Sequence, residues 1–427
     1  MSEGTGRSRS MSDNRYSVYG VSDSACETVD RALRKAEDVL AGIDRVRESN
    51  QLRVLDAFRR HKFSDVHFGS TTGYGYDDIG REEIEKIFAD IFGAEAAYVR
   101  IQISSGTQAI SSMLYGLLRP GDELLTVTGR PYDTLASTIG LNPDEYDGSL
   151  MNFGITYREI ELTEDGYPDM DAIKTSINDK TKVVFLQKSR GYTGRRALLC
   201  KDIAKVAELV HGIREDIIVA VDNCYGEFTE TCEPTSVGAD ICAGSLIKNP
   251  GGGLCPSGGY VTGKAELVEK VAQRITAPGL GSHVGPTLGF NRAIAQGLFM
   301  APHTVAECLK GAVIAAAALS EAGYKSSPEF DSERGDIVQT ITFDDADKLV
   351  RFCGMIQNCS AVDSFVSPEP WDMPGYEDPV VMAAGTFVQG ATTELSCDGP
   401  IKPPYIAYLQ GGLVHEQVKL AVMLALS

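Results

Sequence analysis

The chain has 427 residues, 43% of them hydrophobic and 23% charged, which suits two or three folded domains and excludes disorder of the whole chain. Against 59 acidic residues stand 40 basic ones, a net charge of −19; such a surface repels phosphate backbones and argues against nucleic-acid binding. The longest nearly uncharged apolar run, 311–320, is too short to cross a bilayer.

Residues 1–20 read as a disordered leader, polar and without the apolar block of a secretory signal or membrane anchor. Apolar residues at three- and four-residue steps predict helices over 26–47 and 51–61, so 21–68 form an N-terminal helical arm. Residues 67–76, rich in glycine, are a loop, and 82–91 are again an amphipathic helix. From Ala96 the rhythm alternates. Strands are predicted over 97–103, 123–128, 182–187, 217–222 and 259–262, and helices over 106–118, 201–211 and 264–274. That alternation implies an α/β domain over 69–299, a mostly parallel sheet with helices on both faces. Beyond it, helices at 305–321, 344–358 and 413–426, a strand at 337–343 and proline clusters at 367–374 and 400–404 predict a smaller α+β C-terminal domain over 300–427.

Ten cysteines are scattered without a C-x-x-C pair, which reads as reduced, mostly buried thiols in a cytoplasmic protein. The six histidines show no H-x-x-x-H spacing, so nothing local points to a metal.

Three features carry chemistry. Ser104-Ser-Gly-Thr-Gln-Ala109 falls where a strand ends and a helix begins. Ser105 can cap that helix, and the free N–H groups at Gly106, Thr107 and Gln108 face whatever anion sits at its positive end. Alone, this is also an ordinary capped turn. Asp222 follows the most apolar strand and so reaches the sheet edge where α/β proteins bind ligands, unless it caps a loop or binds a metal. Lys248 stands in a long run without other charges, among glycines and small apolar residues. Desolvation there is expected to lower its pKa and suit it to Schiff-base chemistry, if it is not simply solvated. Together, a helix N-terminus for a phosphate, an Asp for a pyridinium nitrogen and a lysine for an aldehyde meet the requirements of pyridoxal 5'-phosphate. Ser245 adds a hydroxyl.

The order S-G-T, Asp222-Asn-Cys-Tyr and S-x-x-K resembles fold-type I pyridoxal-phosphate enzymes of the cystathionine lyase group. Three longer blocks, Gly73-Tyr-Gly-Tyr-Asp-Asp-x-Gly-Arg81, Ser245-Leu-Ile-Lys-Asn-Pro-Gly-Gly-Gly253 and Asp398-Gly-Pro-Ile-Lys-Pro-Pro-Tyr-x-x-Tyr-Leu-Gln-Gly-Gly412, resemble the methionine gamma-lyase-like proteins also labelled aluminium-resistance proteins. The resemblance covers roughly 20–427. It implies a cytoplasmic enzyme of amino-acid metabolism with a transferase-like fold, a homo-oligomer (dimer or tetramer) whose active site is shared between subunits. It further implies that Lys248 holds the coenzyme, Asp222 pairs with the ring nitrogen, and Gly106, Thr107 and Ser245 bind the phosphate. Tyr132, otherwise a turn aromatic, matches the residue that stacks on the ring. Tyr76 matches the tyrosine that a neighbouring subunit sends to the phosphate. The arginine expected two positions after it is Asp78 here, with Arg81 the nearest substitute. No clear match exists for the arginine that grips the substrate carboxylate, and Arg190, Arg195 and Lys402 are the candidates. Gln187 is either a coenzyme contact or a plain strand-end amide.

The expected reaction is carbon–sulfur lysis of an amino acid of the cystathionine beta-lyase or methionine gamma-lyase type. Lys248 removes the Cα proton, and a thiol leaves from Cβ or Cγ with a proton from Tyr132. The same motifs serve an aminotransferase or a γ-replacement transferase, and a non-catalytic stress-response protein that kept the fold is a further alternative. A nicotinamide site is a poor reading, because the G-x-G of Gly73 and Gly75 lies in a loop.

Overall fold

The computed structural model describes residues 15–142, 147–373 and 378–427. Most of the expected leader, and Pro374 of the proline cluster, lie outside them. The leader's last residues are ordered: a 3-10 turn, Ser17–Tyr19, follows Tyr16, whose ring packs on the C-terminal core.

Helix α1 (Asp23–Lys35) is capped by Ser22 and breaks at Ala36 into α2 (Glu37–Arg60), so the expected helices regroup around a different break. Next come α3 (Ile79–Phe92), β1 (Ala96–Arg100), α4 (Gly106–Leu117) and β2 (Glu123–Thr126). The short elements α5 (Asp133–Ile139), β3 (Thr156–Glu159) and α6 (Met170–Ser176) had no distinct signal. Then follow β4 (Thr181–Gln187), α7 (Cys200–Ile213), β5 (Ile218–Asp222), β6 (Ile241–Ser245), β7 (Gly259–Gly263) and α8 (Ala265–Ile275). Together β1 to β7 form one sheet in the order β1-β7-β6-β5-β4-β2-β3, parallel except for β7. Buried side chains on both faces form two separate apolar clusters, as a sheet covered on each side requires.

α9 (Asn291–Glu321) is twice the expected helix and holds Pro302 in its interior. It is long and apolar enough to cross a membrane by length and composition, yet 78% of its apolar window is buried inside the protein. Its first half packs on the large sheet's core through Ile294, Leu298, Ala301 and Val305. Its second half, Val313 to Leu319, belongs to another core. The expected domain boundary near 300 therefore falls inside one continuous helix. That second core is completed by β8 (Lys325–Ser327), β9 (Gln339–Thr342), α10 (Ala346–Asn358), β10 (Val380–Ala383), β11 (Ser396–Pro400), β12 (Ile406–Gln410) and α11 (His415–Ala425). The strands form an antiparallel sheet ordered β10-β11-β12-β9-β8. Val21, Ala25, Val29 and Ala32 of the N-terminal arm are buried in the same core, so the arm's first helix is a structural part of the C-terminal unit.

Candidate active site

The site grows from the C-terminal ends of the central strands. β5 is the middle strand of seven, and its last residue, Asp222, pairs in register with Gln187 of β4 and Ala243 of β6. All five of its residues are buried, so the Asp222 carboxylate emerges at the sheet edge without leaving the protein interior. One of its oxygens accepts the Cys224 backbone N–H at 3.0 Å. Burial pushes its pKa up, against the opposing pull of Lys248, the Cys224 groups and Arg195.

At the same edge α4 begins at Gly106. The Ser105 side chain accepts the Gln108 N–H at 3.0 Å, which leaves the first helical N–H groups to an anion. A Cβ at Gly106 would stand 3.0 Å from Cys224 Sγ, 3.4 Å from Ser245 Cβ and 3.9 Å from Lys248 Nζ. The helix start, the end of β6 and the lysine therefore converge on one small volume that only glycine leaves open. Ser245 Oγ is buried there without a hydrogen-bond partner, and such a group calls for a ligand. Thr107 Oγ1 lies 3.2 Å from Thr134 Oγ1 and accepts the Tyr132 hydroxyl at 3.3 Å.

Lys248 is enclosed, with Nζ 4.0 Å from the centre of the Tyr225 ring. Sequence reasoning expected desolvation to lower its pKa. Burial does act in that direction, but Cys224, Tyr225, Asp222 and Tyr132 outweigh it and hold the ammonium above its ordinary value. Burial also raises the Cys224, Tyr225 and Tyr132 groups, and Asp222 is the one carboxylate among these four neighbours.

Tyr225 and Cys224 are the site residues that sequence reasoning missed. Tyr225 sits at φ +70, and Asn249 Nδ2 fixes its turn by donating to the Tyr225 and Glu227 carbonyls at 2.9 Å. The signal was present in Asp222-Asn-Cys-Tyr225, but only the left-handed turn brings that ring under the lysine.

Other expected residues stand as follows. Gln187 is buried, its amide donating to the Ser189 carbonyl at 3.3 Å beside Asp222. Tyr76 is exposed and stacks on Tyr74 at 5.4 Å. Asp78, where arginine was expected, caps α3 and accepts bonds from Thr71, Thr287 and Asn291. Arg81 donates to the Gly75 and Gly285 carbonyls at 2.6 and 2.8 Å and so clamps the loop. Lys402 is exposed and pairs with Asp378 at 3.0 Å. Arg190 donates to the Ser327 carbonyl and hydroxyl and to Thr340. Arg195 donates to the Gln187 and Ser189 carbonyls. Burial lowers its pKa to about 10, with Asp336 and Asp222 opposing. Of the three cations considered for a carboxylate, Arg195 is the one coupled to Asp222.

A mixed, mostly parallel sheet with a lysine and an aspartate at its carboxyl edge and a second, smaller sheet is the fold-type I architecture of pyridoxal-phosphate-dependent proteins. The methionine gamma-lyase family model matches residues 25–427, and the chain belongs to that family. It is 51% identical over 400 residues to the uncharacterized protein YnbB of Bacillus subtilis, covering 93% of this chain and 95% of that one. The crystal structure of a carbon–sulfur lyase involved in aluminium resistance from Clostridium novyi superposes with TM-score 0.93 at 46% identity, covering 96% of this chain and 97% of that chain. The L-methionine gamma-lyase of Pseudomonas putida is 27% identical over 206 residues, 48% of this chain and 46% of that one.

Proposed function

We propose that the chain is a pyridoxal-phosphate-dependent carbon–sulfur lyase acting on an amino acid. The observation that carries this reading is the convergence of Ser245 and Lys248 on Gly106, where an added Cβ would stand 3.4 Å from Ser245 Cβ and 3.9 Å from Lys248 Nζ, with the buried Asp222 opposing the lysine. The residues fit the coenzyme: the N–H groups at Gly106 and Thr107 and the unpartnered Ser245 hydroxyl suit its phosphate, Asp222 its ring nitrogen and Lys248 its aldehyde. When bound, pyridoxal phosphate supplies a sink for the electron pair left on Cα.

The chain's own groups do the proton work. Lys248 Nζ, enclosed against Tyr225, takes the Cα proton as a neutral amine. Tyr132 keeps its phenolic proton because burial and Asp222 disfavour the phenolate. We assign to it the delivery of a proton to the departing sulfur, with Thr107 Oγ1 accepting from and so orienting its hydroxyl. Gln187 packs beside Asp222, and we assign the substrate carboxylate to Arg195, which interacts with Asp222, with Arg190 as the alternative.

A cytoplasmic location and a dimer or tetramer in which Tyr76 of a second copy completes the phosphate site are part of the same reading.

The test is an assay of the coenzyme-loaded protein with sulfur-containing amino acids. Equal release of thiol, ammonia and keto acid is the expected result. Amino-group transfer without thiol would favour the aminotransferase alternative, and failure to take up pyridoxal phosphate would remove the coenzyme reading altogether.

A further inference from the structure

Two pairs of thiols approach each other in this fold. Cys353 of α10 and Cys397 of β11 lie 3.8 Å apart, both fully buried. Cys200 and Cys232 are differently placed. Their sulfurs and a Glu230 carboxylate oxygen all lie within 4.8 Å of one another, and Cys232 is half-buried rather than sealed.

The surroundings of this second pair are built for a thiolate. Cys200 is the first residue of α7, whose positive end faces the pair. Its backbone N–H donates to both Glu230 oxygens at 3.0 and 3.1 Å, which seats Glu230 beside the helix start. The Cys200 thiol donates to the Cys232 carbonyl at 3.2 Å. Lys188, with no exposed surface, places Nζ 3.2 Å from Glu230 and donates to the Gly226 carbonyl at 2.9 Å. The two thiols act on one proton: hydrogen bonding with Cys200, then Lys188, draws Cys232 below its ordinary pKa, while the same interaction and burial push Cys200 above its own. A metal ion fits this cluster poorly, because a buried ammonium already neutralises the carboxylate.

We propose that Cys200 and Cys232 are an oxidative modification site, a dithiol that a small hydroperoxide converts to a disulfide. The Cys232 sulfur attacks the peroxide, the O–O bond breaks, and Cys232 becomes a sulfenic acid while the alkoxide or hydroxide leaves and takes a proton. The Cys200 sulfur then attacks the Cys232 sulfur, the S–O bond breaks, and the hydroxide leaves with the Cys200 proton as water. Two thiols lose two electrons and the hydroperoxide is reduced to an alcohol (or water) and water. The bridge would tie the start of α7 to the loop that runs from Asp222 through Tyr225.

Reduced full-length protein treated with about one equivalent of hydrogen peroxide, then alkylated and mapped by mass spectrometry, tests this. Fragmentation must separate Cys232 from Cys224 and Cys242. The expected product is a Cys200–Cys232 cross-linked peptide, reversed by dithiothreitol and formed roughly tenfold faster than any product at Cys353 or Cys397. In C200S, Cys232 should accumulate as a sulfenic acid trapped by dimedone. Native-state alkylation of the wild type, which needs no variant, should label Cys232 first. A pair that stays reduced while other cysteines oxidise, or that is labelled no faster than they are, overturns the proposal.

Discussion

At the scale of single residues, Lys248 and Asp398 make opposite predictions. Replacing Lys248 by Ala removes both the anchor for the aldehyde and the base at Cα. Turnover should fall by at least about 10²–10⁴-fold, with loss of the visible coenzyme band. Normal turnover in that variant would contradict the mechanism. Asp398, nearly sealed at the start of the third sequence block, has its pKa pushed up by burial to about 6, although the Tyr192 hydroxyl donates to it. Between its ordinary value and about 6 the folded state binds a proton that the unfolded chain has released. Stability therefore falls as pH rises through that window, and ionised Asp398 is a cost at neutral pH. D398N keeps an acceptor for Tyr192 without the charge. It should stabilise the protein by about 1–3 kcal/mol at pH 8, an advantage that disappears below about pH 4 in paired denaturation curves.

At the scale of elements, the glycine run after Lys248 has a second reason to exist. A Cβ at Gly297 of α9 would meet the Gly251 carbonyl at 2.3 Å, and one at Gly252 would meet the Gly297 carbonyl at 2.3 Å. Backbone packs on backbone here, so α9 presses directly on the turn that follows the lysine. G297A should cost about 1–3 kcal/mol in chemical denaturation and lower coenzyme affinity as well. An unchanged affinity would show that the contact does not position Lys248. The sequence made the lysine's enclosure legible, but not this contact, because small residues announce close approach without naming the partner. The first half of α9 escaped notice for a related reason: Gly297, Pro302 and His303 interrupt its periodicity. β6 escaped because Ile241-Cys-Ala-Gly-Ser245 is too small-sided to read as a strand. The parallel strands were plain, since β4 and β5 are apolar on both faces. Of the site, Asp222, Lys248, Gly106 and Ser245 were legible from local pattern, whereas Tyr225 depends on a left-handed turn and the arginines on contacts far along the chain.

For the whole molecule, the proposed second copy gives a direct measurement. Tyr74, Tyr76, Ile79, Leu288 and Phe290 are exposed, and the loop that carries the first two meets Gly285 and Pro286. Light scattering should report a dimer or tetramer, and Y76F should weaken coenzyme binding by about tenfold, the loss of one hydrogen bond to a charged group. A monomer with full activity would refute the shared site.

The N-terminal arm closes against the other end of the chain. Ser22 N–H donates to Ser427 Oγ at 3.0 Å, and Val29 shares a core with Val418 and Val422. On the ribosome, at roughly 5–20 residues per second, α1 emerges tens of seconds before the strands and helix that bury it. Through that interval its apolar stripe has no native surface to rest on, so nascent chains should stay exposed to chaperones until α11 has emerged.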